Sequence, residues 1–164
     1  MVLDKKNGFT LIELIVSVMI IMGMATLVLA NYNSGQQEKE LNLITKQLEG
    51  EIIDLKTRAL AGTNIKLPDG EIVNPEFYSL VLQAHGYQVL VNNAELVKTV
   101  SWQKVDLSPA AGCQIVFLSG GSQINFSDEC AVSGQTSLTI NITYTPLAET
   151  KQIILNSLTG QLQN

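Results

Sequence analysis

The chain has 164 residues and a formal net charge of −5, with 46% hydrophobic and 15% charged residues and a mean hydropathy of +0.21. This balance excludes a disordered, solvating chain, and a pI near 4.8 excludes a basic nucleic-acid module. Two cysteines allow one disulfide and are too few for a cysteine scaffold or a four-cysteine zinc site.

The apolar excess sits at one end. Residues 9–30 read FTLIELIVSVMIIMGMATLVLA, 22 residues with a single charge, Glu13. A helix needs roughly 20 apolar residues to cross the hydrocarbon core of a bilayer. A buried soluble helix would show a polar face, and from Leu14 to Ala30 only Ser17, Gly23 and Thr26 break the run. A secretory signal peptide would have a shorter apolar stretch ending in small residues, and LVLANYNSG does not fit that pattern. Lys5 and Lys6 precede the run. The positive-inside rule therefore leaves the first eight residues in the cytoplasm and the remainder outside, where disulfides are permitted. Glu13 needs a reason: a carboxylate in a spanning helix is costly, although a place near the positive end of the macrodipole reduces that cost. The only basic residues before Lys39 are Lys5 and Lys6. Cleavage of the chain would create another cation, a new α-amino group, which in an assembly a neighbouring copy could supply.

The run Lys5-Lys6-Asn7-Gly8-Phe9-Thr10-Leu11-Ile12-Glu13-Leu14 resembles the type IV prepilin and pseudopilin signature. It has a short basic leader ending in glycine, then Phe-Thr-Leu-Ile-Glu-Leu, then an apolar stretch. The resemblance implies that a prepilin peptidase cuts after Gly8 and N-methylates Phe9. It also implies that Glu13 neutralises the amino terminus of an adjacent subunit during assembly. Other pilin or pseudopilin subunits, a membrane platform protein and an assembly ATPase are the further partners it implies. The chain departs from many family members in having no proline within the apolar run, which leaves Gly23 and Gly35 as the expected weak points.

Beyond the run, Asn31-Tyr32-Asn33-Ser34-Gly35 reads as an interruption near the membrane surface. From Gln36 to Ala61 the apolar residues Leu41, Ile44, Leu48, Ile52, Leu55 and Ala59 recur at helical spacing among charges, which predicts an amphipathic helix with one face to bury. Gly62 is the expected stop. If both halves join, residues 9–61 make about 80 Å of helix at 1.5 Å per residue. Helix-on-sheet packing is favoured over a coiled coil, because barely three heptads are present.

The remaining residues are predicted to be β-rich. Residues 63–76 read as a loop, with Pro68, Gly70 and Pro75 as turn formers. Tyr78–Gln83 and Tyr87–Val91 flank Ala84-His85-Gly86 as a hairpin. Glu95–Leu107 is one long or two short strands. Cys113–Leu118 and Ser122–Phe126 flank a Ser119-Gly120-Gly121 turn. In Ser137–Tyr144 the residues Leu138, Ile140, Ile142 and Tyr144 share one face, and Lys151–Leu155 and Leu158–Leu162 follow. Alternation of this kind implies antiparallel strands with one wet face. The fold class is therefore α+β: a long N-terminal helix, transmembrane in its first half and amphipathic in its second, packed on an antiparallel β head. The expected divisions are a leader at 1–8, a transmembrane and assembly helix at 9–31, an amphipathic helix at 32–62 and a head at 63–164. The order of the head's strands is similar to that of H-type minor pseudopilins and FimT-type minor pilins.

No catalytic constellation is evident. His85, the single histidine, has no Cys, Ser or acid nearby in sequence that would form a relay. Asp69-Gly70-Glu71 and Asp128-Glu129 are isolated acidic pairs, where a hard-cation site needs about six to eight oxygens, so no metal or other cofactor is expected. Residues 63–164 hold four lysines, no arginine and eight carboxylates, which disfavours nucleic-acid binding. Cys113 and Cys130 are positioned to close a loop around the Gly120-Gly121 turn as a disulfide. The expected function is a non-enzymatic filament subunit, minor pilin or pseudopilin, held first in the bacterial cytoplasmic membrane and then drawn into an extracellular or periplasmic fibre. The competing reading is an uncleaved, single-span anchored binding domain.

Overall fold

The computed structural model describes residues 10–67, 69–93, 95–109, 112–130 and 136–163. Helix α1 runs Leu11–Ala61. The predicted interruption at residues 31–35 is absent, because Tyr32 through Gly35 are helical. A glycine costs about 1 kcal/mol relative to alanine in a helix, too little to stop a helix of this length. The chain divides into two compact units, Met1–Lys39 and Glu40–Asn164. In the first unit the described residues form only the first part of α1.

The second unit is the remaining part of α1 with a β-rich body. Its strands are β1 (Ile65–Lys66), β2 (Ile72–Val73), β3 (Phe77–Gln83), β4 (Gly86–Val91), β5 (Glu95–Ser101), β6 (Val105–Ser108), β7 (Gln114–Leu118), β8 (Ile124–Phe126), β9 (Ser137–Tyr144), β10 (Glu149–Asn156) and β11 (Leu162–Gln163). They form a five-stranded sheet in the order β5-β4-β3-β7-β8, a four-stranded sheet in the order β11-β10-β9-β6, and a β1-β2 ribbon. Every pairing is antiparallel. The fold is thus α+β, a long N-terminal helix on antiparallel sheets. The ribbon corrects the expectation of a bare loop at 63–76. Gly70, with φ +96, makes the turn that lets Ile65 pair with Val73. Glu95–Leu107 resolves into two strands that enter different sheets.

All six residues of the predicted helical stripe, Leu41, Ile44, Leu48, Ile52, Leu55 and Ala59, are buried. They join one core with the inward residues of both sheets, among them Tyr78, Leu80, Tyr87, Val89, Ile115, Phe117, Ile140, Ile142, Tyr144, Ile153 and Leu155. Burying a leucine or isoleucine stabilises by roughly 1.5–3 kcal/mol, so this stripe is the main attachment of the helix to the sheets. Polar contacts fix its register along them. Tyr144 donates to Glu40 at 2.5 Å, on the four-stranded sheet. Tyr87 donates to Glu51 at 2.9 Å, on the five-stranded sheet, where Lys98 also meets Glu51 at 2.5 Å. Lys56 Nζ donates to the carbonyls of Thr159 and Gly160, each at 3.0 Å. The helix stops as expected at Gly62, φ +58, and the N–H of Gly120 donates to the Ala59 carbonyl at 2.8 Å.

The Cys113–Cys130 disulfide joins the approach to β7 to a 3-10 turn at Asp128–Cys130. Closing its loop of 17 residues restricts the unfolded chain by about 3 kcal/mol in the entropy model.

Two outcomes follow from this packing. Leu48→Ala empties a fully buried position and is expected to cost about 2–5 kcal/mol, seen as a lower denaturant midpoint of the full chain in detergent. The second concerns alkaline pH. The hydrogen bond to Glu40, followed by burial, pushes the Tyr144 phenol from 10.0 up to about 12. Burial first, then the bond to Glu51, raises Tyr87 strongly. The folded chain holds these protons more tightly than the unfolded chain does. Stability is therefore expected to be flat below about pH 10 and to fall as pH rises above it. An ultraviolet phenolate titration run beside alkaline unfolding checks this, and ordinary ionisation of Tyr87 and Tyr144 in the folded chain would contradict it.

Candidate functional site

The candidate site is the start of α1. Thr10 precedes the first helical residue and is the N-cap. Its hydroxyl accepts the N–H of Glu13 at 3.3 Å, and the Glu13 carboxylate accepts the N–H of Thr10 at 3.1 Å. The Thr10 hydroxyl also lies 2.9 Å from Glu13 Oε2 and donates to it. This reciprocal pairing is a capping box, Thr-x-x-Glu, in which two otherwise orphaned N–H groups find partners. The carbonyl of Thr10 accepts the N–H of Leu14 at 3.2 Å and starts the helical ladder. Ser17 donates to the Glu13 carbonyl at 2.7 Å.

Glu13 therefore has partners within its own chain. From sequence, Glu13 is accounted for by the helix macrodipole or by a cation that neutralises it, without use of the signal for the box, Thr10-Leu11-Ile12-Glu13, which is present in the sequence. Both bonds to the carboxylate use Oε2, and among the described residues none uses Oε1. Gly8 and Phe9, the expected cleavage and methylation positions, lie outside the described residues.

Past the cap, the helix exposes apolar side chains on all sides. Leu11, Ile12, Met19, Ile21, Met22, Met24, Leu27, Val28 and Leu29 are each at least 65% exposed. An 18-residue window here has a mean hydropathy of 2.5 and none of its residues is buried, so by length and composition this helix can cross a membrane. A helix that is apolar all round and uncovered by its own chain is unstable in water and stable in lipid or against other helices.

The other residues singled out from sequence behave differently. His85 is in the β3–β4 turn, with Nδ1 at 3.0 Å from the Val105 carbonyl and 3.1 Å from Asp106 Oδ1. The fold thus brings it an acid that the sequence had not suggested, from the neighbouring four-stranded sheet. No hydroxyl or thiol hydrogen-bonds the ring among the described residues. Asp69 accepts the N–H of Glu71 at 3.0 Å and so shapes its own turn. Asp128 and Glu129 open the 3-10 turn. Among the described residues no group of three or more His, Cys, Asp or Glu side chains converges to hold a metal.

Comparison with known families matches residues 3–29 to the prokaryotic N-terminal methylation motif. The matched span carries the basic leader, Gly8, Phe9, the capping box and most of the apolar run. Comparisons with curated proteins and with solved structures return no match. The chain therefore carries a type IV pilin-like prepilin signal at the start of an α+β fold.

Thr10→Val removes both the accepting and the donating hydroxyl at nearly constant volume. Loss of an N-cap costs about 1 kcal/mol, so amide exchange at Glu13 and Leu14 in detergent is expected to quicken about fivefold. Unchanged exchange would show that the box does not hold the helix end.

Proposed function

We propose that this chain is a structural subunit of a type IV pilus or a type II secretion-like filament, a minor pilin or pseudopilin without catalytic activity. The observation that carries the reading is the methylation motif placed on a helix whose apolar surface the chain itself leaves uncovered. In this reading residues 1–8 are a leader that a prepilin peptidase removes after Gly8, and the new amino terminus at Phe9 is N-methylated. Residues 9–31 hold the subunit in the bacterial cytoplasmic membrane, with the leader in the cytoplasm and the head outside. Assembly by a platform protein and an ATPase then moves the helix from lipid to the core of a filament. Both environments satisfy an apolar helix, so the transfer changes its neighbours without exposing it to water.

Glu13 is the assembly acid in this reading. Its Oε2 stays in the capping box and its Oε1 accepts the methylated amine of an adjacent subunit. An ion pair in an apolar surrounding is costly to leave half-made, so a mis-registered subunit is rejected. The strand order of the head, with two antiparallel sheets and a glycine-glycine turn after β7, supports a head of the H-type or FimT-type minor subunits.

One observation favours the second reading, an uncleaved membrane-anchored binding domain. The capping box satisfies Glu13 without a second copy, so an anchor could tolerate the acid. The two readings separate on the amino terminus. A subunit is expected to begin at Phe9 with one added methyl group when recovered from membranes of cells with an active prepilin peptidase, as read by intact mass. Glu13→Leu is expected to remain membrane-inserted and to abolish entry into filaments. A chain still beginning at Met1, or one whose Glu13→Leu variant assembles normally, would leave the anchored domain in front.

A further inference from the structure

We propose that the first half of strand β10 is a docking edge for an extended segment of another protein, added antiparallel as a further strand, with one acidic side chain of that segment seated in the cavity between β10 and helix α1. The backbone supplies the first observation. β10 pairs with β9 along all 8 of its residues, but β11 pairs only with Ile154 and Leu155. The N–H of Asn156 donates to the Gln161 carbonyl on the β11 side, and the N–H of Ser157 donates to the Thr136 carbonyl on the β9 side. Backbone groups along a strand point to alternate sides. Those of Gln152 and Thr150 therefore point the same way as those of Asn156, beyond the stretch that β11 pairs. Both residues are exposed, and among the described residues no strand bonds to them there. Their N–H and C=O groups form an open edge of the kind that accepts an added strand. Every pairing in this sheet is antiparallel, and the added strand continues that pattern.

The second observation is the cavity beside this edge, about 260 Å³ and lined by Asn42, Thr45, Lys46, Glu49, Lys151 and Gln152. Residues opposite each other on paired strands project to the same face. A residue added opposite Lys151 therefore projects with it toward α1, and its side chain enters the cavity. The charges there select an acid. Lys151 Nζ donates to Asn42 Oδ1, a neutral partner, and Lys46 is exposed with no ion-pair partner among the described residues. A partly buried ammonium is ordinarily matched to a carboxylate. Glu49 lines the same cavity, its Oε1 buried without a hydrogen-bond partner. It opposes an incoming acid, but two ammonium groups outweigh it. Glu149, exposed on β10 two residues before Lys151, favours a basic residue opposite itself. The complement of this edge is thus an acidic residue followed two positions later by a basic one.

β10 itself carries that pattern in Glu149-Thr150-Lys151, so a second copy is the competing occupant. Geometry argues against it. Residues 40–61 of α1 run along β10 in the same sense, since Asn42 meets Lys151 and Lys56 meets the carbonyls of Thr159 and Gly160. Antiparallel addition of the same edge from a second copy would set the two helix segments antiparallel, whereas chains anchored in one membrane share one sense. The occupant is therefore a segment of another protein. The edge and the cavity both belong to the unit Glu40–Asn164 and do not depend on the filament reading; the choice of occupant depends on anchoring, which the anchored-domain reading shares.

The test is an NMR titration of the full chain in detergent with the end-capped peptide acetyl-Thr-Glu-Thr-Lys-amide at millimolar concentration. The amides of Thr150 and Gln152 are expected to shift and to exchange more slowly in the complex. N-methylation of both threonine nitrogens of the peptide is expected to abolish binding. Replacing its glutamate by glutamine is expected to weaken binding about fivefold, the scale of a partly exposed ion pair. Lys46→Ala, at an exposed position, is expected to weaken it by about the same factor, and Glu49→Gln, which removes the opposing charge, to tighten it. A folded chain whose Thr150 and Gln152 amides do not respond to the peptide overturns the docking edge. Equal binding of the glutamate and glutamine peptides overturns the seat of the acid in the cavity. Slowing of the same two amides with rising chain concentration, in the absence of peptide, assigns the edge to a second copy and overturns the choice of partner.

Discussion

The burial of one helical stripe organises the second unit. Leu41, Ile44, Leu48, Ile52, Leu55 and Ala59 form a continuous apolar stripe that joins one core with the inner faces of two sheets. Two separate antiparallel sheets with one wet face each would be marginal alone. With the helix lying across both, they share a single core. The polar contacts from the helix mark where each sheet meets it: Glu40 to Tyr144 for one, Glu51 to Tyr87 and Lys98 for the other. A tyrosine is suited to this position, since its ring fills the core while its hydroxyl reaches a carboxylate at the rim.

The same helix behaves oppositely along its first part. From Leu11 to Leu29 nearly every side chain is apolar and every residue is exposed. What separates the two behaviours is periodicity. A stripe with charges between its members has one place to go, against a core. A uniformly apolar surface has no preferred side, and so it suits lipid or a ring of identical helices. The capping box closes this stretch at its start. Thr10 and Glu13 satisfy each other's N–H groups at the point where no preceding turn can, which matters most where water is scarce.

Much of this was legible in the sequence, and the reasons are local. The stripe could be read because its spacing is that of a helix. In Ser137–Tyr144 strict alternation named the four residues that the structure buries. Gly62 marked the helix stop because little else adopts its backbone conformation at so small a cost. The errors were also physical. The five residues from Asn31 to Gly35 look like a break when judged by propensity, but propensity differences of about 1 kcal/mol per residue yield to a helix already propagating from both sides. The short ribbon at Ile65–Lys66 and Ile72–Val73 has too few residues to show a period.

The sequence by itself determined the signal, the membrane-capable run, the amphipathic face and the strand-rich class, because each is written in the spacing of neighbours along the chain. The tertiary structure alone decided which strands share a sheet, that Glu95–Leu107 splits between two of them, and that His85 meets Asp106. It also brought Lys151 to Asn42. Such meetings join residues separated by up to 109 positions. They are set by how a twisted sheet folds back on a helix, a relation that no local pattern encodes.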